Sequence, residues 1–444
     1  MINHPAIPQN VTSYLKKYGS SFWTLETSHQ SFFNNIVVIP AIDEYDNLQK
    51  LIRSLLANDE TYFHETLFVF VINNNAGSSN EVKKDNAKAI ELFRQVIARR
   101  AESELADKLL KSKIKIALVD ASGAGKELPE KDAGVGMARK IGMDLALNRF
   151  DYSNNKKKIM ICLDADCTVE KNYLTAIVSA FNEKKMSAAG VRYEHKLPDD
   201  EKEKLAIICY EIFLRYYLLG LIHAKSPYAF QTVGSTMVCD AESYIKIGGM
   251  NKRKAAEDFY FLEKLAKITR IESIDTTKVF PASRKSWRVP FGTGQRINRY
   301  MAGTQDEYLL YDPVTFEVLK QWLEVFNSGQ YDSPENILQS AKSINDGLYE
   351  FLQQNNFGSD WENILKQSKS ENQLKKQKIM WFDSFRTLKL VHFLRDHSMP
   401  MLNMFDALDK IYEMMNYKTE IIRTEQIPPI SIQLEYLTLL RELT

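Results

Sequence analysis

Cysteine is scarce in this chain, with four residues in 444: Cys162, Cys167, Cys209 and Cys239. Thiols so few and so scattered exclude a disulfide framework, and no histidine stands near them at zinc-finger spacing. Histidine is nearly as sparse, and none falls between His223 and His392. An excess of either charge is missing too: 58 Lys and Arg face 57 Asp and Glu, a net charge of +1. That balance removes the general electrostatic case for a nucleic-acid partner. No internal repeat or low-complexity tract is visible. The opening MINHPAIPQNVTSYLKKYGSSFW has no basic segment leading into an apolar run, so it is not read as a signal peptide. The most apolar stretch, Leu205 to Ile222, carries Glu211 and Arg215 at the i,i+4 spacing that pairs charges on a helix. A bilayer-spanning helix needs about 20 largely uncharged residues, so a buried or interfacial helix is expected instead. The expectation is a cytoplasmic protein with no transmembrane segment, for which peripheral membrane contact stays open.

What is present is an alternation. Short apolar runs rich in Val and Ile recur at 36–40, 67–72, 114–120, 158–166 and 187–193, as strands buried on both faces of a parallel sheet do. Between them lie amphipathic stretches. Leu48, Leu51, Ile52, Leu55 and Leu56 share one helical face; Val135, Ala138, Ile141 and Leu145 share another. The pattern predicts an α/β domain with a mainly parallel sheet flanked by helices. After about Ala302 the runs give way to helical periodicity, clearest over 314–326, 337–352 and 381–394. The division expected is an N-terminal extension (1–34), an α/β domain (35–302) and a helical C-terminal domain (303–444).

Ligands of such sheets bind beyond the carboxyl ends of the strands, and polar motifs follow the runs there. Asp164-Ala-Asp166 closes the fourth run; paired carboxylates at a strand end suit Mg²⁺ or Mn²⁺, though acidic residues also end strands as solvated caps. Glu257-Asp258 opens the segment FYFLEKLAKI, where acidic residues cap a helix or accept a proton from a hydroxyl. In Gly134-Val-Gly136-Met-Ala-Arg139 an arginine takes the third glycine's place of a dinucleotide fingerprint; the glycines still allow close backbone approach, and Arg139 can reach a phosphate. Gly123-Ala-Gly125-Lys126 fails as a Walker loop, because Asp120 and Glu127 replace the residues such a loop requires. Arg284 to Arg296 gathers cations, aromatics and two glycines into a loop suited to closing on an anionic leaving group.

In this order the motifs resemble family-two glycosyltransferases of the GT-A fold. Ile36-Val-Val-Ile-Pro40-Ala-Ile-Asp43-Glu44 is similar to that family's opening strand and turn. Asp164-Ala-Asp166 is similar to its D-x-D, Gly134 to Gly142 to its G-x-x-x-A-R-x-x-G helix start, and Thr232 to Asp258 to its acceptor-side segment ending in an E-D pair. The resemblance covers roughly residues 35–300. It implies transfer of a sugar from a UDP- or GDP-sugar to an unidentified hydroxyl acceptor, with Mg²⁺ or Mn²⁺ on the diphosphate. On this reading Asp166 is the direct metal ligand and Asp164 serves the ribose or the metal shell. Pro40, Ile42, Glu44, Asn73 and Asn74 line the donor pocket. Arg139, Arg284, Arg288 and Arg296 neutralise the departing diphosphate. Asp258 is the general base of an inverting displacement, with Glu257 beside it.

Three departures stand out. Asn73 to Asn75 occupy positions where the family often has aspartate. Gln295-Arg-Ile-Asn-Arg299-Tyr300 misses the Q-x-x-R-W of processive synthases by one residue and an aromatic. No histidine is placed to be a downstream metal ligand. The alternatives are a non-catalytic nucleotide-sugar-binding or scaffold protein and a nucleotidyltransferase. The latter wants a Gly-rich basic loop after the first strand, which Pro40 to Glu44 is not.

Overall fold

A computed structural model describes residues 6–284, 292–328 and 332–444. The chain divides into two compact units. Among the described residues, the first holds those up to Lys196 and Thr232–Ala282, and the second holds Leu197–Gln231, 283–284 and those from Gly292 onward. The sequence placed 35–302 in one domain, whereas these units assign 197–231 and 292–302 to the helical part.

The first unit is built on eight strands: β1 (Asn35–Ala41), β2 (Thr66–Asn73), β3 (Lys115–Ala121), β4 (Ile159–Cys162), β5 (Thr168–Val169), β6 (Ala188–Tyr193), β7 (Met237–Asp240) and β8 (Glu272–Phe280). Their order is β3-β2-β1-β4-β7-β6-β8-β5. β3, β2, β1 and β4 run parallel, with Val38 opposite both Val69 and Cys162. β7 lies antiparallel between β4 and β6. The α/β class with helices flanking a mainly parallel sheet is the one the sequence predicts.

Every residue of β1 and β2 is buried, as their unbroken apolar runs require. Each such Ile, Val or Phe contributes about 1.5–3 kcal/mol by leaving water. The helix Val135–Ala146 lies so close to this core that a Cβ on Gly142 would sit 2.4 Å from Val38. The N-terminal helix Gln9–Tyr18 docks through a buried carboxylate. Asp144 accepts from the hydroxyls of Tyr14 (2.8 Å) and Tyr244 (2.7 Å) and from Lys140 (2.7 Å).

In the second unit the helix Glu201–His223 is long and apolar enough to cross a membrane by composition, yet 67% of its most apolar window is buried. Its Ile208, Ile212, Tyr216 and Leu219 pack with Phe405, Leu408, Tyr436 and Leu440. Glu211 and Arg215, both buried, pair at 2.8 Å, and Arg441 of the helix Ile430–Leu443 grips both Glu211 oxygens at 2.8 and 2.9 Å.

Some helix boundaries differ from the sequence expectation. The stretch 337–352 is two helices, Pro334–Ile344 and Asp346–Gln354, because the Asn345 side chain caps the second by accepting from the Leu348 N–H. Likewise Asp383 accepts from the N–H groups of Phe385 and Arg386 and starts a helix at Ser384, leaving Trp381 at the end of the helix before.

Candidate active site

Chain order along the sheet fixes where a ligand can lie. From β1 the chain winds outward to β2 and β3, then returns to place β4 on the other side of β1. The crevice beyond the carboxyl ends of β1 and β4 is thus the topological switch point. Glu44 follows β1, Asn73 ends β2 with Asn74 next to it, and Asp164 and Asp166 follow β4, so these candidates share one edge.

The turn after β1 is held from the neighbouring helix Asn80–Ile97. Asp43 takes a left-handed conformation (φ 56°), and its N–H donates to the Asn86 side chain at 3.0 Å. Asn86 in turn donates to the Asn73 carbonyl (3.0 Å), and Asn73 donates to the Ala41 carbonyl (3.0 Å). Asn73 thereby ties β2 to β1, with Asn86 as a support that sequence reasoning missed. Pro40 is buried in β1 and Ile42 half-buried in the turn. Glu44 is buried and accepts from Asn47 at 2.6 Å. Asn74 is different: it is 1% exposed, and among the described residues neither its amide oxygen nor its amide nitrogen has a hydrogen-bond partner. Buried polar groups are nearly always satisfied, so this orphaned amide is a candidate ligand contact.

Arg139 joins the two acidic motifs. Its guanidinium, 1% exposed, lies between Asp164, 2.5 Å away, and Glu257. Burial works against its charge, but the two carboxylates outweigh burial and raise its pKa. Three glycines make the approach possible. A Cβ on Gly234 would come within 2.5 Å of the guanidinium, and one on Gly136 within 2.4 Å of the Arg253 carbonyl. A Cβ on Gly134 would meet the Lys254 backbone at 2.5 Å. The sequence reading gave this glycine pair to a ligand and Arg139 to a phosphate. The close neighbour of the glycines is instead the loop 251–254, and the guanidinium holds two carboxylates.

Glu257 and Asp258 open the helix Glu257–Ala266. Burial pushes the Glu257 carboxyl upward, with Arg139 opposing and Asp258 adding to the rise. Asp258 is half-buried and accepts from the Phe259 N–H at 2.8 Å. Loss of hydration raises its pKa as well, against the pull of Arg139. A carboxylate with raised affinity for a proton, beside a fixed cation, is suited to accept one from a hydroxyl.

Among the described residues no group of three or more His, Cys, Asp or Glu side chains gathers as a metal cluster. A diphosphate-bound Mg²⁺ or Mn²⁺ needs only one or two protein carboxylates. Half-exposed Asp166 fits that requirement, while Asp164 already shares a proton-rich partner in Arg139.

Arg288 lies outside the described residues, as does most of the segment expected to close on a leaving group. Arg284 and Arg296 belong to the second unit, where Arg296 pairs with Glu307 at 2.7 Å and stacks 4.4 Å from the Phe213 ring.

No protein-family model matches the sequence, and no curated protein does. Solved structures show distant likeness. TarS of S. aureus in complex with UDP-GlcNAc is 13% identical over 89% of this chain and 98% of its own, with a TM-score of 0.39. The mannosyltransferase PcManGT of Pyrobaculum calidifontis, in complex with GDP-Man and Mn²⁺, is 12% identical over 98% and 92%, with a TM-score of 0.37. GalNAc-T7 with UDP, GalNAc and Mn²⁺ is 12% identical over 71% and 55%, with a TM-score of 0.33. At this level of likeness the functional reading rests on the side chains.

Proposed function

We propose that the chain is a nucleotide-sugar-dependent glycosyltransferase, of family-two type, that inverts the anomeric centre. The observation that carries this reading is Arg139 between Asp164 and Glu257, which draws the D-x-D and E-D motifs together at the switch-point edge.

The donor's nucleoside would lie along Glu44, Asn73 and Asn74, where the orphaned Asn74 amide offers one donor and one acceptor. Asp166 would hold Mg²⁺ or Mn²⁺ on the diphosphate; when bound, such an ion stabilises charge developing on the leaving oxygens. Asp258 takes the proton from the acceptor hydroxyl as its oxygen bonds to the anomeric carbon. The bond from that carbon to the diphosphate breaks on the opposite face, and its electron pair leaves with the nucleoside diphosphate. Adjacent side chains on a helix diverge by about 100°, so Glu257 facing Arg139 leaves Asp258 to face the acceptor.

Calorimetry with UDP- and GDP-sugars, with and without Mn²⁺, tests the reading, followed by NMR of the product's anomeric configuration. Metal-dependent donor binding and an inverted product are expected. Absence of binding to every nucleotide sugar would overturn it.

A further inference from the structure

The loop that leads into the helix Glu257–Ala266 carries three adjacent cations, Lys252, Arg253 and Lys254, all exposed. Nothing in the donor chemistry uses them. We propose that they form an anion-binding edge and that the hydroxyl acceptor bears phosphate; this rests on the glycosyltransferase reading above.

The loop is built rather than slack. Asn251 donates to the Glu257 carbonyl at 2.8 Å and accepts from the Arg253 N–H at 3.1 Å, clamping the loop to the start of the helix. Ala256 adopts a left-handed conformation (φ 56°), a costly geometry for a residue with a Cβ. The carbonyls of Asn251 and Arg253 turn onto Gly136, where a Cβ would lie 2.9 and 2.4 Å from them. With the backbone pressed on that glycine, the side chains of 252–254 are left to solvent.

Their charges are mostly unspent. Lys252 approaches Asp132 only at 4.0 Å, with half its side chain exposed (52%). Among the described residues Arg253 and Lys254 make no ion pair. The Arg253 guanidinium lies 3.5 Å above the Tyr260 ring, which fixes its plane while leaving its N–H fork to a ligand. The loop packs on Gly134 and Gly136, at the start of the helix whose Arg139 holds both acidic motifs, so its cations border the side of the site proposed to take the acceptor. A planar guanidinium between two ammonium groups there matches a phosphate or phosphodiester.

The test compares acceptors differing only in phosphate: glycerol with glycerol 3-phosphate, and glucose with glucose 6-phosphate, each with the donor that calorimetry selects. The phosphorylated partner is expected to be preferred, with a KM that rises with ionic strength. The triple variant Lys252→Ala, Arg253→Ala, Lys254→Ala should raise that KM roughly 10- to 100-fold, the range of a lost charge-assisted contact, and flatten the salt dependence. The single variants Lys252→Ala and Lys254→Ala, on exposed side chains, keep the test available if the triple variant folds poorly; each should show a smaller rise. Donor affinity separates the two readings. A chain that binds no nucleotide sugar sinks the parent proposal. One that binds donor but treats neutral and phosphorylated acceptors alike sinks this one. Loss of binding to phosphatidylglycerol vesicles with an unchanged acceptor KM would make the run a membrane contact and also overturn it.

Discussion

Arg139 and Glu257 stand 118 positions apart in the chain and form a buried ion pair, with side-chain exposures of 2% and 4%. Because Arg139 also holds Asp164, one guanidinium sets the positions of both acidic motifs.

Removing that guanidinium should therefore be costly twice over. Arg139→Met leaves Glu257 buried without a cation, a change worth about 3–5 kcal/mol in breaking a buried pair. Arg139→Lys keeps charge but not the fork that reaches two carboxylates, so it should recover only part of the loss. Urea unfolding of the three proteins checks the order; equal stability of all three would show that the pair does not hold the site.

The pH profile reports on the acidic pair. Asp258 must be ionised to accept a proton, and its pKa is raised, so the acid limb of turnover should lie above the range of an ordinary aspartate. Glu257→Gln removes a neighbouring negative charge and frees Arg139 to act on Asp258. Both effects lower the Asp258 pKa, so the limb should move to lower pH. Asp258→Asn should cut turnover about 10²–10⁴-fold with donor affinity kept. A limb that Glu257→Gln shifts upward, or near-normal turnover in Asp258→Asn, would remove Asp258 as base.

Asp166→Ala should abolish the dependence of donor affinity on Mn²⁺, since Asp166 is partly exposed beyond β4 while its motif neighbour Asp164 is engaged by Arg139. Titration of donor with and without Mn²⁺ decides; unchanged metal dependence would move the metal elsewhere.

Asn74→Leu makes the opposite kind of trade. The amide has no partner among the described residues, and an unsatisfied buried group costs about 1–3 kcal/mol, so the variant should be at least as stable without ligand. It should bind nucleoside diphosphate roughly tenfold more weakly, the effect of about one lost hydrogen bond. Thermal unfolding without nucleotide and calorimetry with it read the two halves. Unchanged affinity would take Asn74 out of the donor site.

Particular residues show what the sequence made legible. β1 to β3 could be read because their central residues are buried on both faces and therefore form apolar runs, with polar residues confined to the strand ends. β7 escaped because its four residues, Met237 to Asp240, hold a single β-branched side chain, and β8 because Glu272, Asp275 and Lys278 interrupt its buried Ile274 and Val279. The candidate residues after the strands were visible from their position. The Arg139 bridge was not, since nothing local to Gly134–Gly142 shows that Glu257 will arrive beside it. The glycines signalled a close approach but not what approaches. The role of Asn74 needed the structure too, because only packing shows that its amide is left without a partner.

The helix Glu201–His223 has a consequence for synthesis. Its apolar face is completed by Tyr436 and Leu440, and its buried Glu211 by Arg441, all in the helix Ile430–Leu443. At ~5–20 residues per second, the ribosome needs roughly 10–40 s to make the intervening chain. Throughout that interval a segment with the composition of a membrane span leaves the ribosome without its last partners. Burial of that segment is complete only after the helix Ile430–Leu443 emerges.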